Sequence, residues 1–313
     1  MKKIMYVMSA LAAVFSGNAL ADVSVSGSGQ FNYTSSGSSG FASTSGGISF
    51  ALSTTTAGGV AISTSGGITQ DAEATAADGH TGFTSLAFAT GGTTITLSND
   101  ISAGSVGSVG GVASDMVDVG HDAVNASPAL NVGDADGGGL SIATSMGGAA
   151  VTATYVWDTT PGTHGQTDTS ASDTVTGVKV SMPMGALTVS ASHVMYNPGG
   201  SGTDDTMSGA TAAYAVGGGT LTLGYETSTG TTKATETSGS YSMSLDADTT
   251  IAVGYTQADE GSTSNSITEA KVTRALGGGA SVYAEMKSSS GSGTSTTSTT
   301  EASTFAIGTS VSF

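Results

Sequence analysis

From Val23 to Phe313 the chain keeps repeating one unit. Apolar side chains occupy every second position, a glycine-rich turn follows, and a second such run returns. Ile48, Phe50 and Leu52 lead through Ala57-Gly58-Gly59 to Val60 and Ile62. Leu86 and Phe88 lead through Gly91-Gly92 to Ile95 and Leu97, and Leu140, Ile142 and Met146 through Gly147-Gly148 to Val151, Ala153, Tyr155 and Trp157. Four more pairs turn at Pro183-Met184-Gly185, Gly217-Gly218-Gly219, Asp246-Ala247-Asp248 and Gly277-Gly278-Gly279. A period of two with a small or polar opposite face is the signature of a strand, and turn glycines supply the positive φ of tight hairpins.

Seven hairpins plus a first strand from Asp22 and a last strand, Phe305–Phe313, make about sixteen strands of roughly 9–11 residues, enough for a tilted strand to cross a bilayer. The other connections read as long and polar, near 35–44, 70–80, 101–138, 158–173, 197–207, 229–235, 259–265 and 289–300. Even strand number, short turns on one side and long loops on the other define a transmembrane antiparallel up-and-down β-barrel. Closure matters because lipid cannot hydrogen-bond a free strand edge. In the last strand Phe305, Ile307, Thr309, Val311 and Phe313 share one face, while Ala306, Gly308, Ser310 and Ser312 share the other.

Composition agrees. Hydrophobic residues are 37%, charged residues only 10%, and Gly 48 of 313, which is thin in large core-formers for a soluble domain of this length. There is no Cys, hence no disulfide framework and no lipid-anchored cysteine. Lys2 and Lys3, the apolar run Ile4–Phe15 and Ala19-Leu20-Ala21 read as a secretory signal peptide, residues 1–21, too short to span a bilayer. The barrel then occupies 22–313. Loss of that segment removes two positive charges from a chain already at −17, an acidic balance that disfavours nucleic acid.

On the signal peptide, the strand entered directly from Asp22, the glycine turns and the final strand with Phe305, Ile307, Val311 and Phe313, the chain resembles the Gram-negative outer-membrane general porins. The likeness covers the whole mature chain and is to the sixteen-stranded alphaproteobacterial type. It implies a homotrimer in outer-membrane lipid with both termini periplasmic. It also implies that the terminal aromatic strand is the signal read by the outer-membrane assembly machinery. In that family the third long loop folds into the pore. Here that connection, about 101–138, is the longest and carries Asp115, Asp118, Asp122, Asp134 and Asp136 with no Lys or Arg, which looks like the constriction loop.

Family pores commonly set arginines opposite this loop, but this chain has one arginine, Arg274. Extending the parity sends Lys179, Lys271, Lys287, Glu226, Glu269 and Glu285 inward as a pore wall wetted by the channel, with the three lysines facing the acidic loop. Arg274 shares the outward parity of Val272 and Leu276; either it snorkels to the interface or the register slips there. Trp157, Tyr155, Tyr225 and Tyr255 fall toward the outer strand ends, as an interfacial belt requires.

No G-x-S-x-G, H-E-x-x-H or G-x-x-x-x-G-K-[ST] occurs. His80, His121 and His164 read as loop residues, and His193 as a polar residue near the outer rim. Asp134-Ala135-Asp136-Gly137 is a fragment of a calcium loop lacking its distal Glu; a looser calcium site on the acidic loop stands beside the plainer reading of solvated turn aspartates. No other cofactor is expected. The expected function is a passive diffusion channel for small hydrophilic solutes and ions, weakly cation-selective, and not an enzyme. The alternatives are a secreted or surface-attached acidic β-rich adhesive or structural protein, which needs no outward apolar stripe, and a barrel enzyme, which needs a nucleophile–base pair at the rim.

Overall fold

A computed structural model describes residues 21–36, 39–71, 79–81, 83, 85–101, 137–157, 174–197, 205–229, 233–261, 263–292 and 302–313. Every regular element among them is a strand. In chain order these are β1 (Ala21–Ser36), β2 (Ser39–Thr55), β3 (Ala61–Asp71), β4 (Gly79–Thr81), β5 (Ser85–Thr90), β6 (Thr93–Ile101), β7 (Gly137–Met146), β8 (Ala149–Trp157) and β9 (Thr174–Met184). There follow β10 (Leu187–Asn197), β11 (Asp205–Val216), β12 (Gly219–Thr229), β13 (Ala234–Ser244), β14 (Thr249–Glu260), β15 (Thr263–Gly277), β16 (Ala280–Ser292) and β17 (Ala302–Ser312).

The sheet is a meander in which β1 pairs with both β2 and β17, so it closes on itself. Both β4 and β5 pair with β3 as pieces of one stave, which makes sixteen staves. Where that stave is interrupted, the Thr64 hydroxyl donates to the Ser85 carbonyl at 2.5 Å.

The seven short turns lie where the sequence predicts, six of them at glycines. Gly91 and Gly92, and Gly147 and Gly148, all have positive φ, as a two-residue mirror-image turn requires. The connection at 245–248 has no glycine; there the Asp246 carboxylate accepts from the Asp248 and Thr249 amides at 2.8 and 2.7 Å.

The expected pattern of eight long connections is corrected at three places. β1 and β2 pair as far as Ser36 opposite Ser39, β14 and β15 as far as Glu260 opposite Thr263, and β13 begins at Ala234. Among the described residues, the stretches 35–44 and 259–265 are therefore largely strand, and 229–235 gives Thr229 to β12 and Ala234 and Thr235 to β13. Strands also run longer than expected, to 17 residues in β2 and 15 in β15. The cause is that ladder hydrogen bonds do not depend on side-chain hydropathy, whereas the apolar alternation ends where lipid ends. His80, read as a loop residue, lies in β4. Residues 1–20 of the signal segment and the acids of 102–136 lie outside the described residues, while Ala21 opens β1.

Side chains alternate as the parity predicts. Val23, Val25, Phe31, Tyr33, Leu223, Val253, Val272, Phe305, Ile307 and Val311 are exposed on the outside. Asn32, Thr34, Ser98, Thr154, Ser192 and Ala306 are buried on the inside. A water-soluble protein would put the first set in a core; a wall with lipid outside places them outward. Tyr155, Trp157, Tyr225 and Tyr255 are exposed near the strand ends opposite the short turns. The first two rings stack at a centroid distance of 6.0 Å and an angle of 44°.

Candidate pore wall

Charge on the inner wall is concentrated on β12 through β16. On β15 and β16, Lys271 stands opposite Glu285 and Glu269 opposite Lys287 in register. The first pair forms an ion pair of 3.4 Å and the second one of 3.9 Å. Lys271 also places its ammonium 5.0 Å from the centre of the Tyr283 ring. Strand pairing sets this arrangement: residues i and i+2 on two antiparallel neighbours form a square of alternating charge.

These acids are packed into the wall instead of standing free in channel water as expected. Glu285 is 1% exposed and Glu269 8%. Their lysines lie across them and screen them. Two lysines of the expected three are thus engaged with acids on their own wall; Lys179, on β9, faces inward and is half-buried. The expected field across the pore, from wall lysines to the acidic loop, loses most of its positive side.

Glu226 lies on β12 directly opposite Glu236 of β13, and both are buried. Sequence reasoning found Glu226 but missed Glu236, because the outward positions beside it, Thr235 and Thr237, carry no large apolar side chain. The signal was present: Glu236, Ser238, Ser240 and Ser242 keep one parity, and Tyr241 and Met243 keep the other.

Around the seam the wall changes character. Ser26, Ser28, Gln30, Ser45, Ser49, Ser310 and Ser312 border an uncharged recess of about 590 Å³ on β17, β1, β2 and β3. Tyr283 reaches from β16 across Gly308 of β17, and its hydroxyl accepts from Gln30 Nε2 on β1 at 2.7 Å.

A third region is apolar although it faces inward. Ile101, Val156, Val175, Val194, Tyr196, Met207 and Ala234 form one buried cluster near the strand ends opposite the short turns. Ile101 is also the last described residue before 102–136.

Outside, Arg274 keeps the outward register, and an irregularity in the ladder follows between Ala275 and Gly277. Its Nη1 donates to Thr249 Oγ1 at 2.9 Å and lies 3.7 Å from Asp246 Oδ2. The guanidinium therefore ends at a turn, as the snorkelling alternative requires. The Asp246 carboxyl is held below the usual carboxylate range, first by the Asp248 amide, then by the Thr249 hydroxyl, with Arg274 adding attraction. His193 is exposed on the outer face with Nδ1 2.8 Å from Ser208 Oγ. The positions in register beside this pair, Val178 and Thr227, carry no acid to orient the ring.

A search against protein-family models finds no match, and neither does a search of curated protein sequences. Solved structures do match. OmpT of Vibrio cholerae in its trimer form aligns at a TM-score of 0.65 with 14% identity, over 94% of this chain and 99% of that one. An anion-selective porin from Comamonas acidovorans aligns at 0.65 with 12% identity, over 94% and 100%. A substituted Rh. blastica porin aligns at 0.61 with 17% identity, over 93% and 100%. The fold is that of the outer-membrane porins: a closed sixteen-stranded antiparallel barrel, apolar outside and polar within.

Proposed function

We propose that this chain is an outer-membrane porin, a passive channel for small hydrophilic solutes and ions. The observation that carries the reading is the two-sidedness of one closed wall. Large apolar side chains face outward, while ion pairs, buried acids and hydroxyls line the interior. A packed core would not accept so many polar groups, and a secreted adhesive protein would not need the outward stripe. The His193–Ser208 pair does not favour an enzyme, since no acid stands in register to orient the histidine.

Residues 1–21 act as the export signal, and Phe305, Ile307, Val311 and Phe313 as the assembly signal of a sixteen-stranded porin of the alphaproteobacterial type. The barrel sits in the outer membrane of a Gram-negative cell with its termini periplasmic, and assembles as a homotrimer. The OmpT neighbour is described as a trimer. The connection of about 101–138 folds inward as the constriction. The inward apolar cluster supports this, because a bare channel wall gains nothing from Val175, Val194 and Met207, whereas a wall against which chain packs does.

Since one neighbour is described as anion-selective, ion preference rests on this chain's own charges. The acidic balance, together with lysines already engaged by Glu269 and Glu285, gives weak cation selectivity. Reconstitution in planar bilayers tests both parts. Discrete conductance steps are expected, and changing Asp115, Asp118 and Asp122 to Asn lowers the cation/anion permeability ratio. Absence of steps removes the channel reading; an unchanged reversal potential removes those three acids from the constriction.

A further inference from the structure

We propose that Phe313 and Tyr283 fix the register in which the barrel closes, one ring on each face of the seam, and through it the width of the channel. No turn joins β1 to β17, so hairpin geometry does not set their pairing. Their inner faces are also nearly uniform, with Ser24, Ser26 and Ser28 on β1 and Ser310 and Ser312 on β17. A slip of one residue would turn the lipid-facing side chains inward, but a slip of two leaves both faces as they are. Such a slip changes the stagger around the wall, and the stagger, tilt and diameter of a barrel are linked. Polar alternation alone does not choose between these registers.

Two aromatic rings do, each seated over a glycine. On the outer face the Phe313 ring occupies the space that a Cβ on Gly27 of β1 would take. On the inner face Tyr283 of β16 lies over Gly308 of β17, and its hydroxyl accepts from Gln30 Nε2 of β1 at 2.7 Å. Gln30 is paired with Ser310, the next inward position after Gly308. The Lys271 ammonium, 5.0 Å from the centre of the Tyr283 ring, holds that ring from β15, the strand before β16. The two seats exclude slips in opposite directions. With Val25 where Gly27 stands, the Val25 side chain and the Phe313 ring would claim the same space. With Gly29 there the ring would fit, but Asn32 would replace Gln30 opposite Ser310. The Asn32 side chain is one methylene shorter and falls short of the Tyr283 hydroxyl. Only the observed register satisfies both rings.

The sequence has no Cys, so cysteines introduced across the seam report its register without background. Ser28 and Ser312 stand directly opposite, beside the hydrogen-bonded pair Gly27 and Phe313, with Cα atoms about 4.5 Å apart and within disulfide reach. Asn32 and Ser310 are diagonal neighbours about 7–8 Å apart, and they come opposite each other only in the slip that brings Gly29 to Phe313. The folded full chain in detergent is oxidised and run unreduced on a denaturing gel. Ser28→Cys with Ser312→Cys should cross-link well, and Asn32→Cys with Ser310→Cys only weakly. Tyr283→Phe should raise the second cross-link about fivefold through loss of one hydrogen bond. Gly27→Val with Tyr283→Phe should make it the major one, and Gly29→Val added to these should remove it again. An unchanged pattern in the folded double variant overturns the proposal. So does a rise that Gly29→Val leaves in place, which would report a loosened seam. If the double variant does not fold, judged by heat-modifiable gel mobility, Tyr283→Phe alone decides, and no rise there overturns the proposal. The readout needs no ion current, so its failure is distinguishable from failure of the channel test.

Discussion

Phe313 and Gly27 pair across the seam where the barrel closes. Each amide donates to the other's carbonyl at 3.0 Å. The Phe313 ring lies against Gly27, in the space that a Cβ on that residue would occupy. The last residue of the chain is thus seated on an outward position of the first strand that has no side chain.

That seat makes Gly27 as important as the aromatic. Gly27→Val is expected to displace the ring and loosen both terminal hydrogen bonds, each about 1 kcal/mol net. Folded barrel, measured by heat-modifiable mobility in outer-membrane fractions, should fall, and should fall likewise when Phe313 is deleted. Gly29→Val is the control, since nothing lies within 4 Å of a Cβ there. Equal yields from the two Gly variants would contradict the seat.

Lys271→Met should destabilise the barrel by about 3 kcal/mol or more, because it leaves the Glu285 carboxylate, with side-chain exposure 0%, without its lysine. Adding Glu285→Gln should recover most of the loss. Denaturant midpoints of the two variants in detergent measure it; a double variant as unstable as the single one would place the stabilisation in the Lys271–Tyr283 contact.

Tyr283→Phe should cost about 1 kcal/mol through loss of the Gln30 hydrogen bond that spans β17. Gly308→Ala should cost about 1–3 kcal/mol, since its Cβ would meet the Tyr283 hydroxyl and Asn32. The same denaturation assay reads both, and a neutral Gly308→Ala would show that the tyrosine does not cross the glycine.

Asp246 supplies a pH dependence. Its folded-state value lies below the ordinary 3.8, so its stabilisation of the turn is present above the unfolded value and is lost as pH falls through the folded one. Asp246→Asn should lower the thermal midpoint at neutral pH and flatten its fall in acid below about pH 4. Parallel acid limbs for the two proteins would remove Asp246 from the transition.

Side-chain parity made much of this legible in advance. The outward positions of Phe305, Ile307 and Val311, the inward ones of Lys271, Glu269, Glu285 and Lys287, and the glycine turns follow from a period of two and from backbone sterics. Glu236 was legible only in its polar parity with Ser238, Ser240 and Ser242, because the outward positions Thr235, Thr237 and Gly239 lack the large apolar side chains that mark a strand. The lengths of β2 and β15 were not legible, for the same reason.

Local sequence carries the alternation, the hairpin turns and the even strand number, since each depends on residues a few positions apart. It does not carry which inward residue meets which. That Lys271 faces Glu285, that Glu226 faces Glu236 and that Phe313 rests on Gly27 are matters of register between strands, in the last case 286 residues apart in sequence. Register is set when the whole wall closes, and only closure turns a row of inward charges into pairs of opposite or like sign.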